Sequence, residues 1–228
     1  MSLLYLLLII PIIFSWYAQF RVQNIYQQYR QQKNHKNING KDVARQLLDE
    51  NQLKDVIVEE IPGYFIDHYN PKSKKITLSA GIAESDSITS LGVVAHEVGH
   101  ALQDAEGYRY IKIRNKLAKR LSILSQFSPL VFIGGLWFGI PIFRVLALFM
   151  LGAFVVFTII TLPVELNASK KAISLLKKSK IMVKEEEENV QKVLRSAALT
   201  YLTGLLRQIS IFLFIIVIGL LSRNIIHF

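Results

Sequence analysis

"LSILSQFSPLVFIGGLWFGIPIFRVLALFMLGAFVVFTIITL", residues 121–162, carries a single charged side chain, Arg144. A bilayer core is crossed by about 20 helical residues, so the run is about twice as long as one crossing. Gly139, Pro141 and Arg144 interrupt it near its middle. Glycine and proline break a helix, and a cation is costly in lipid. The pattern predicts two spans, roughly 121–140 and 145–162, joined by a tight turn.

Working outward, residues 1–20 hold no charge. No basic residue precedes this run and no small-residue cleavage site follows it, so it reads as an uncleaved anchor. Trp16 and Tyr17 suit the headgroup region. A last apolar run covers 209–226. The expected fold is a mainly α polytopic membrane protein with about four transmembrane helices and a small β-hairpin. Its parts are an N-terminal anchor (1–20), a polar segment (21–120), a helical hairpin in the membrane (121–162), a second polar segment (163–208) and a C-terminal transmembrane helix (209–228).

Of 27 lysines and arginines, sixteen fall in 21–120 and nine in 163–208. The positive-inside rule then places both polar segments in the cytoplasm and the chain in the plasma membrane as a multi-pass protein. A net charge of +10, spread between apolar runs, predicts contact with anionic lipid rather than nucleic acid. The chain has no cysteine, which excludes disulfides, thiolate ligands and thiol catalysis. No predicted span interior holds an acid or a histidine, which argues against a metal-coupled transport path.

Residues 21–60 read as helical, with a turn at Asn39-Gly40. "GYFIDHYNPKSKKITLS", residues 63–79, places aromatic and β-branched residues on either side of Asn70-Pro71-Lys72-Ser73, a short hairpin pattern. Ser85 or Ser87 caps the helix that follows, and Gly107 stops it. Residues 164–181 read as a basic helix. Glu185–Glu188 open another, where acids favour the helix dipole.

The chemistry lies in "HEVGH", residues 96–100. On a helix, His96 and His100 are one turn apart and face the same way, so both imidazoles can bind one Zn²⁺. Glu97 lies beside them, where a carboxylate can take a proton from an activated water. Catalytic zinc sites usually have three protein ligands. The remaining histidines are His35 in a polar loop, His68 in the hairpin, and His227 beyond the last apolar run. Glu165 is the sharper choice, because a two-span hairpin over 121–162 returns the chain to the side it left. A single crossing there would put Glu165 on the wrong face.

"VVAHEVGHALQ" together with "LPVELNASKKA" resembles a bacterial family of membrane-anchored neutral zinc metallopeptidases. That family is similar to the HtpX and CAAX-prenyl-protease gluzincins. The resemblance extends to "DHYNPKSKKITLS" and "AALTYL", and so to most of the chain. It implies a gluzincin-like HExxH helix with His96, His100 and Glu165 as zinc ligands and Glu97 as general base and acid. Asn167 stands where the motif implies an aspartate. Ser169 stands where the HtpX group has an aspartate supporting a ligand. Both are neutral second-layer partners here, and weaker acceptors than carboxylate.

The activity implied is hydrolysis of peptide bonds in a peptide or protein, membrane proteins among them, with a lipid surface, an oligomer or an accessory membrane partner as further contacts. Tyr201, in "AALTYL", is the candidate oxyanion donor. Asp67 and His68 are candidates for contact with substrate, and the hairpin edge for binding it as an added strand. The alternative is a membrane scaffold or adaptor whose zinc is structural. A structural site is closed by four protein ligands, whereas a catalytic one keeps a position open.

Overall fold

A computed structural model of the chain describes residues 2–64 and 66–225. In chain order the elements are α1 (Ser2–Arg30), α2 (Gly40–Glu50), β1 (Ile57–Ile61), β2 (His68–Asn70), β3 (Lys75–Ser79), α3 (Ala80–Ala83), α4 (Ile88–Ala105), α5 (Arg109–Trp137), α6 (Pro141–Lys178) and α7 (Lys184–Ile225). The described residues are mostly helical, with one three-stranded sheet among them.

Two compact units divide it. One comprises residues 1–18, 113–162 and 200–228; the other comprises 19–112 and 163–199. Helices α1, α5, α6 and α7 each contribute residues to both.

The second unit holds the sheet and α4. The strands lie in the order β1-β3-β2. β2 and β3 form the expected hairpin, antiparallel with Tyr69 opposite Ile76. β1 adds to the other side of β3 in parallel, with Val58 opposite Ile76. Residues 57–60 were expected to be helical. IVEEI lacks clear alternation because both faces of this short edge strand are partly exposed, which hides the strand from periodicity.

Helix α4 is buried along nearly its whole length. Ile76 and Leu78 of β3, Leu47 and Leu48 of α2, Leu176 of α6 and Val193 of α7 share its core. Ser87 caps its start, the hydroxyl accepting from Ser90 N at 3.1 Å. Gly107, with φ +71°, turns the chain just past its end, a left-handed conformation that glycine adopts without steric cost. Asn39 caps α2 by accepting from Asp42 N at 2.9 Å.

In the first unit α5 ends at Trp137 and α6 begins at Pro141, with Gly139 at φ +63° between them. Phe132 packs on Ala147 and Leu151, so the two helices double back. The reversal expected from Gly139 and Pro141 is present.

Among the described residues the expected four spans are not found. Among the described residues one helix, α6, is long and apolar enough to cross a membrane. Apolar runs had been read as elements in their own right, whereas here they are portions of longer helices. α5 starts at Arg109 and spends its first turns on Arg109, Lys112, Arg114 and Lys116, leaving its apolar stretch short of a bilayer. α1 runs on to Arg30 and buries Ser15 and Ala18. The last predicted span ends at residue 226, outside the described residues. α6 differs in its exposure: Ile142, Phe149, Val156 and Ile159 point outward, and 29% of its most apolar window is buried. Apolar side chains left outside a protein core mark a lipid-facing or partner-facing surface. The helix also continues unbroken through Pro163, where the sequence had suggested a boundary.

A candidate metal centre on α4 and α6

His96 and His100 are one turn apart on α4. Glu165, the residue after Val164 on α6, faces them. One ligand atom from each lies within 4.8 Å of the others. Glu165 Oε2 is 3.2 Å from His96 Nε2 and 3.5 Å from His100 Nε2. Two ligands bound tetrahedrally at 2.0–2.1 Å are about 3.3–3.4 Å apart, so the spacing fits a zinc-sized ion. His96 is partly exposed, while His100 and Glu165 are 4% and 2% exposed.

The approach of the two helices depends on Gly99. A Cβ there would lie 2.7 Å from the Ala168 carbonyl oxygen. The glycine inside HEVGH therefore lets α6 come close enough to present Glu165.

Hydrogen bonds behind the histidines fix how they face the centre. Gln103, fully buried, donates from Nε2 to Val164 O at 2.9 Å and to Asn167 Oδ1 at 2.8 Å. A backbone carbonyl only accepts, so this end of the amide is the nitrogen, and Oε1 faces His100 Nδ1 at 2.9 Å. That ring nitrogen then carries the proton, so in the neutral ring that binds a metal His100 Nε2 presents its lone pair toward the Glu165 carboxylate. Two buried acceptors facing each other repel; a cation between them removes the conflict. This donor set fits a metal ion. His96 Nδ1 lies 3.2 Å from Ser169 Oγ. A hydroxyl donates or accepts equally well, so Ser169 supports the ring without dictating its tautomer.

Glu97 is 8% exposed, and its Oε2 accepts from Tyr69 N at 2.8 Å. Tyr69 lies on β2, and its hydroxyl donates to Asp104 Oδ2, which also receives Lys74 Nζ, each at 2.9 Å. The hairpin is thus tied to α4 at two points, one of them the carboxylate beside the metal triad. Burial and then Asp104 raise the Tyr69 hydroxyl pKa. The Tyr26 phenol is pushed up to about 12 by burial and by the carboxylates of Asp67 and Glu97.

The other expected site residues fall in varied places. Asn167 and Ser169 contact the machinery behind His100 and His96. Asp67 accepts from both Ser79 N, at 2.7 Å, and Ser79 Oγ, at 3.0 Å, bracing the start of β2 against the end of β3. Burial raises its carboxyl pKa. His68 is exposed, with Nδ1 2.7 Å from Ile66 O. Tyr201 lies on α7, in the unit that does not contain the triad. Sequence reasoning missed Tyr69 and Gln103. Gln103 had a signal: it lies three residues after His100 and seven after His96, on the same helical face.

Residues 4–219 match a family described as "Putative neutral zinc metallopeptidase". The chain is 37% identical over 206 residues to a protein of Bacillus subtilis (strain 168) named "Putative membrane protease YugP", covering 87% of this chain and 92% of that one. No solved structure matches. With its His96, His100 and Glu165 cluster, this chain belongs to that neutral zinc metallopeptidase family.

Proposed function

We propose that the chain is a membrane-associated zinc endopeptidase whose ligands are His96, His100 and Glu165 and whose general base and acid is Glu97. One observation carries the reading: three ligand atoms converge within 4.8 Å, and the carboxylate next to them is held by the edge of a sheet. Zinc, when bound, would polarise a scissile carbonyl and a water. Glu97 takes a proton from that water and returns it to the leaving amine. The Tyr69 N–H fixes one oxygen of Glu97 and with it the carboxylate's rotation. The Gln103 amide keeps the proton of His100 on Nδ1, so Nε2 stays available to the metal. Tyr201 is proposed as oxyanion donor on sequence resemblance alone.

The substrate is a peptide or protein chain. We place the site at the cytoplasmic face, because most of the lysines and arginines lie in residues 19–112 and 163–199, as the positive-inside rule requires. The apolar helix α6 and the name of the relative support membrane association.

The test uses the full chain purified in detergent, with metal analysis and a general proteolysis assay. Glu97→Gln is expected to keep zinc and lose at least a hundredfold in cleavage rate. Glu165→Gln is expected to lose zinc while its circular dichroism stays unchanged. Equal cleavage by wild type and Glu97→Gln would sink the reading.

A further inference from the structure

Tyr69 meets α4 twice. Its backbone N–H donates to Glu97 Oε2 at 2.8 Å, and its hydroxyl donates to Asp104 Oδ2 at 2.9 Å. Glu97 and Asp104 are seven residues apart on α4, two turns and about 10 Å along one face. One residue of β2 therefore lies along the helix and is fixed at both ends. The ring between those ends is 8% exposed and belongs to the core that α4 shares. Asp104 Oδ2 also receives Lys74 Nζ at 2.9 Å. Tyr69 near the end of β2 and Lys74 just before β3 flank the hairpin turn, so this carboxylate gathers both sides of it. The two bonds differ in weight. The Lys74 side chain is 43% exposed, and exposed ion pairs contribute little. The Tyr69 hydroxyl sits on a buried ring and bonds a carboxylate, an acceptor that makes such a bond about twice as strong as a neutral one.

We propose that Asp104 is a positioning residue for the peptidase reaction: by anchoring the Tyr69 hydroxyl it sets where the Tyr69 N–H stands, and so the rotation of the Glu97 carboxylate. The proposal rests on the peptidase reading and extends its machinery two turns along α4. A general base works through the oxygen that faces its water. The other oxygen of Glu97, held by Tyr69, decides which way the first one points. Without the anchor β2 can shift along α4, and the carboxylate gains freedom to turn. A displacement of about 1 Å is enough to cost up to about a hundredfold in rate. Asp104 acts through Tyr69 and not on the reacting atoms.

The test uses the full chain, zinc-loaded in detergent, with fluorescein-labelled casein as substrate. Tyr69→Phe and Asp104→Ala are each expected to lower kcat about tenfold, with KM within about twofold and zinc content unchanged. The double variant is expected to lose no more than either single one, because both changes break the same link. Asp104→Asn keeps an acceptor for the Tyr69 hydroxyl and is expected to hold kcat within about threefold of wild type. Asn39→Ala removes the α2 cap and lowers stability away from the site; its kcat is expected to match wild type. Unchanged kcat in Tyr69→Phe, losses that multiply in the double variant, zinc lost along with activity, or an equal fall in Asn39→Ala would overturn the proposal. Hydrogen exchange at the Tyr69 amide supplies a readout free of catalysis. It is expected to quicken about tenfold in Asp104→Ala and to keep the wild-type rate in Asp104→Asn. Wild type that cleaves no casein removes the peptidase reading, and quickened exchange then leaves the hold of Asp104 on Glu97 standing. Unchanged exchange in Asp104→Ala removes that hold whatever the cleavage.

Discussion

Gln103 links three parts of the site with one amide: the His100 ring, the Val164 carbonyl and the Asn167 side chain. Gln103→Leu removes the acceptor for His100 Nδ1–H and leaves the Val164 carbonyl buried without this donor. The expected cost is about 1–3 kcal/mol in stability and a ten- to hundredfold loss in zinc affinity, read by thermal unfolding and by competition with a chromogenic chelator. Asn167 looked like a defect in the sequence because a carboxylate was expected there. Its oxygen accepts from an amide that already orients the histidine, a role a neutral acceptor fills. Asp67 supports a pH prediction. Its carboxyl pKa is raised by burial, so the folded state holds this proton more tightly than the unfolded state does. Its contribution to stability is largest below the ordinary carboxyl pKa and falls as pH rises from there through the raised value. Asp67→Asn keeps an acceptor for Ser79 and is expected to flatten the melting temperature over that interval; an unchanged slope would contradict it. The HEVGH spacing was readable because a helix turn follows from local sequence, and Gly139 and Pro141 marked the reversal between α5 and α6. The two crossings used to reach Glu165 are not found among the described residues. The roles of Tyr69 and Gln103 arise from contacts between elements, which spacing alone does not encode.

Among the elements, the meeting of α4 and α6 depends most on a single side-chain choice. Gly99→Ala adds a methyl group 2.7 Å from the Ala168 carbonyl, so one helix must move. Alanine is the better helix former by about 1 kcal/mol, yet the variant is expected to unfold at lower temperature and to bind zinc at least tenfold more weakly. Equilibrium dialysis and melting curves check both effects; wild-type zinc binding would show that the approach is looser than described. The hairpin at β2 and β3 was legible because Asn70-Pro71-Lys72-Ser73 separates two strand-like runs. β1 was not, since its parallel partner lies across an intervening strand in sequence and its five residues contain two glutamates. Pro163 misled in the opposite direction. A proline removes one backbone N–H, and α6 tolerates that loss within a helix of 38 residues.

For the molecule as a whole, composition pointed to lipid but overcounted its crossings. Hydrophobic runs report which residues avoid water, and they do not say whether protein or lipid provides the shelter. The sidedness proposed above has a direct test, since the chain has no cysteine. Ser73→Cys, in the exposed turn of the hairpin, introduces a unique thiol. A membrane-impermeant maleimide is expected to label it in inside-out vesicles and not in intact cells; labelling from outside would reverse the orientation. The link between Val164 and Glu165 has a further consequence. Neighbouring residues on one turn of α6 supply the third ligand and, through Gln103, the constraint that sets the His100 proton. Withdrawing that turn would abolish both together and leave two histidines with no preferred tautomer. Metal loading should therefore be all-or-none, without a half-assembled state that traps zinc weakly while the helices are still coming together.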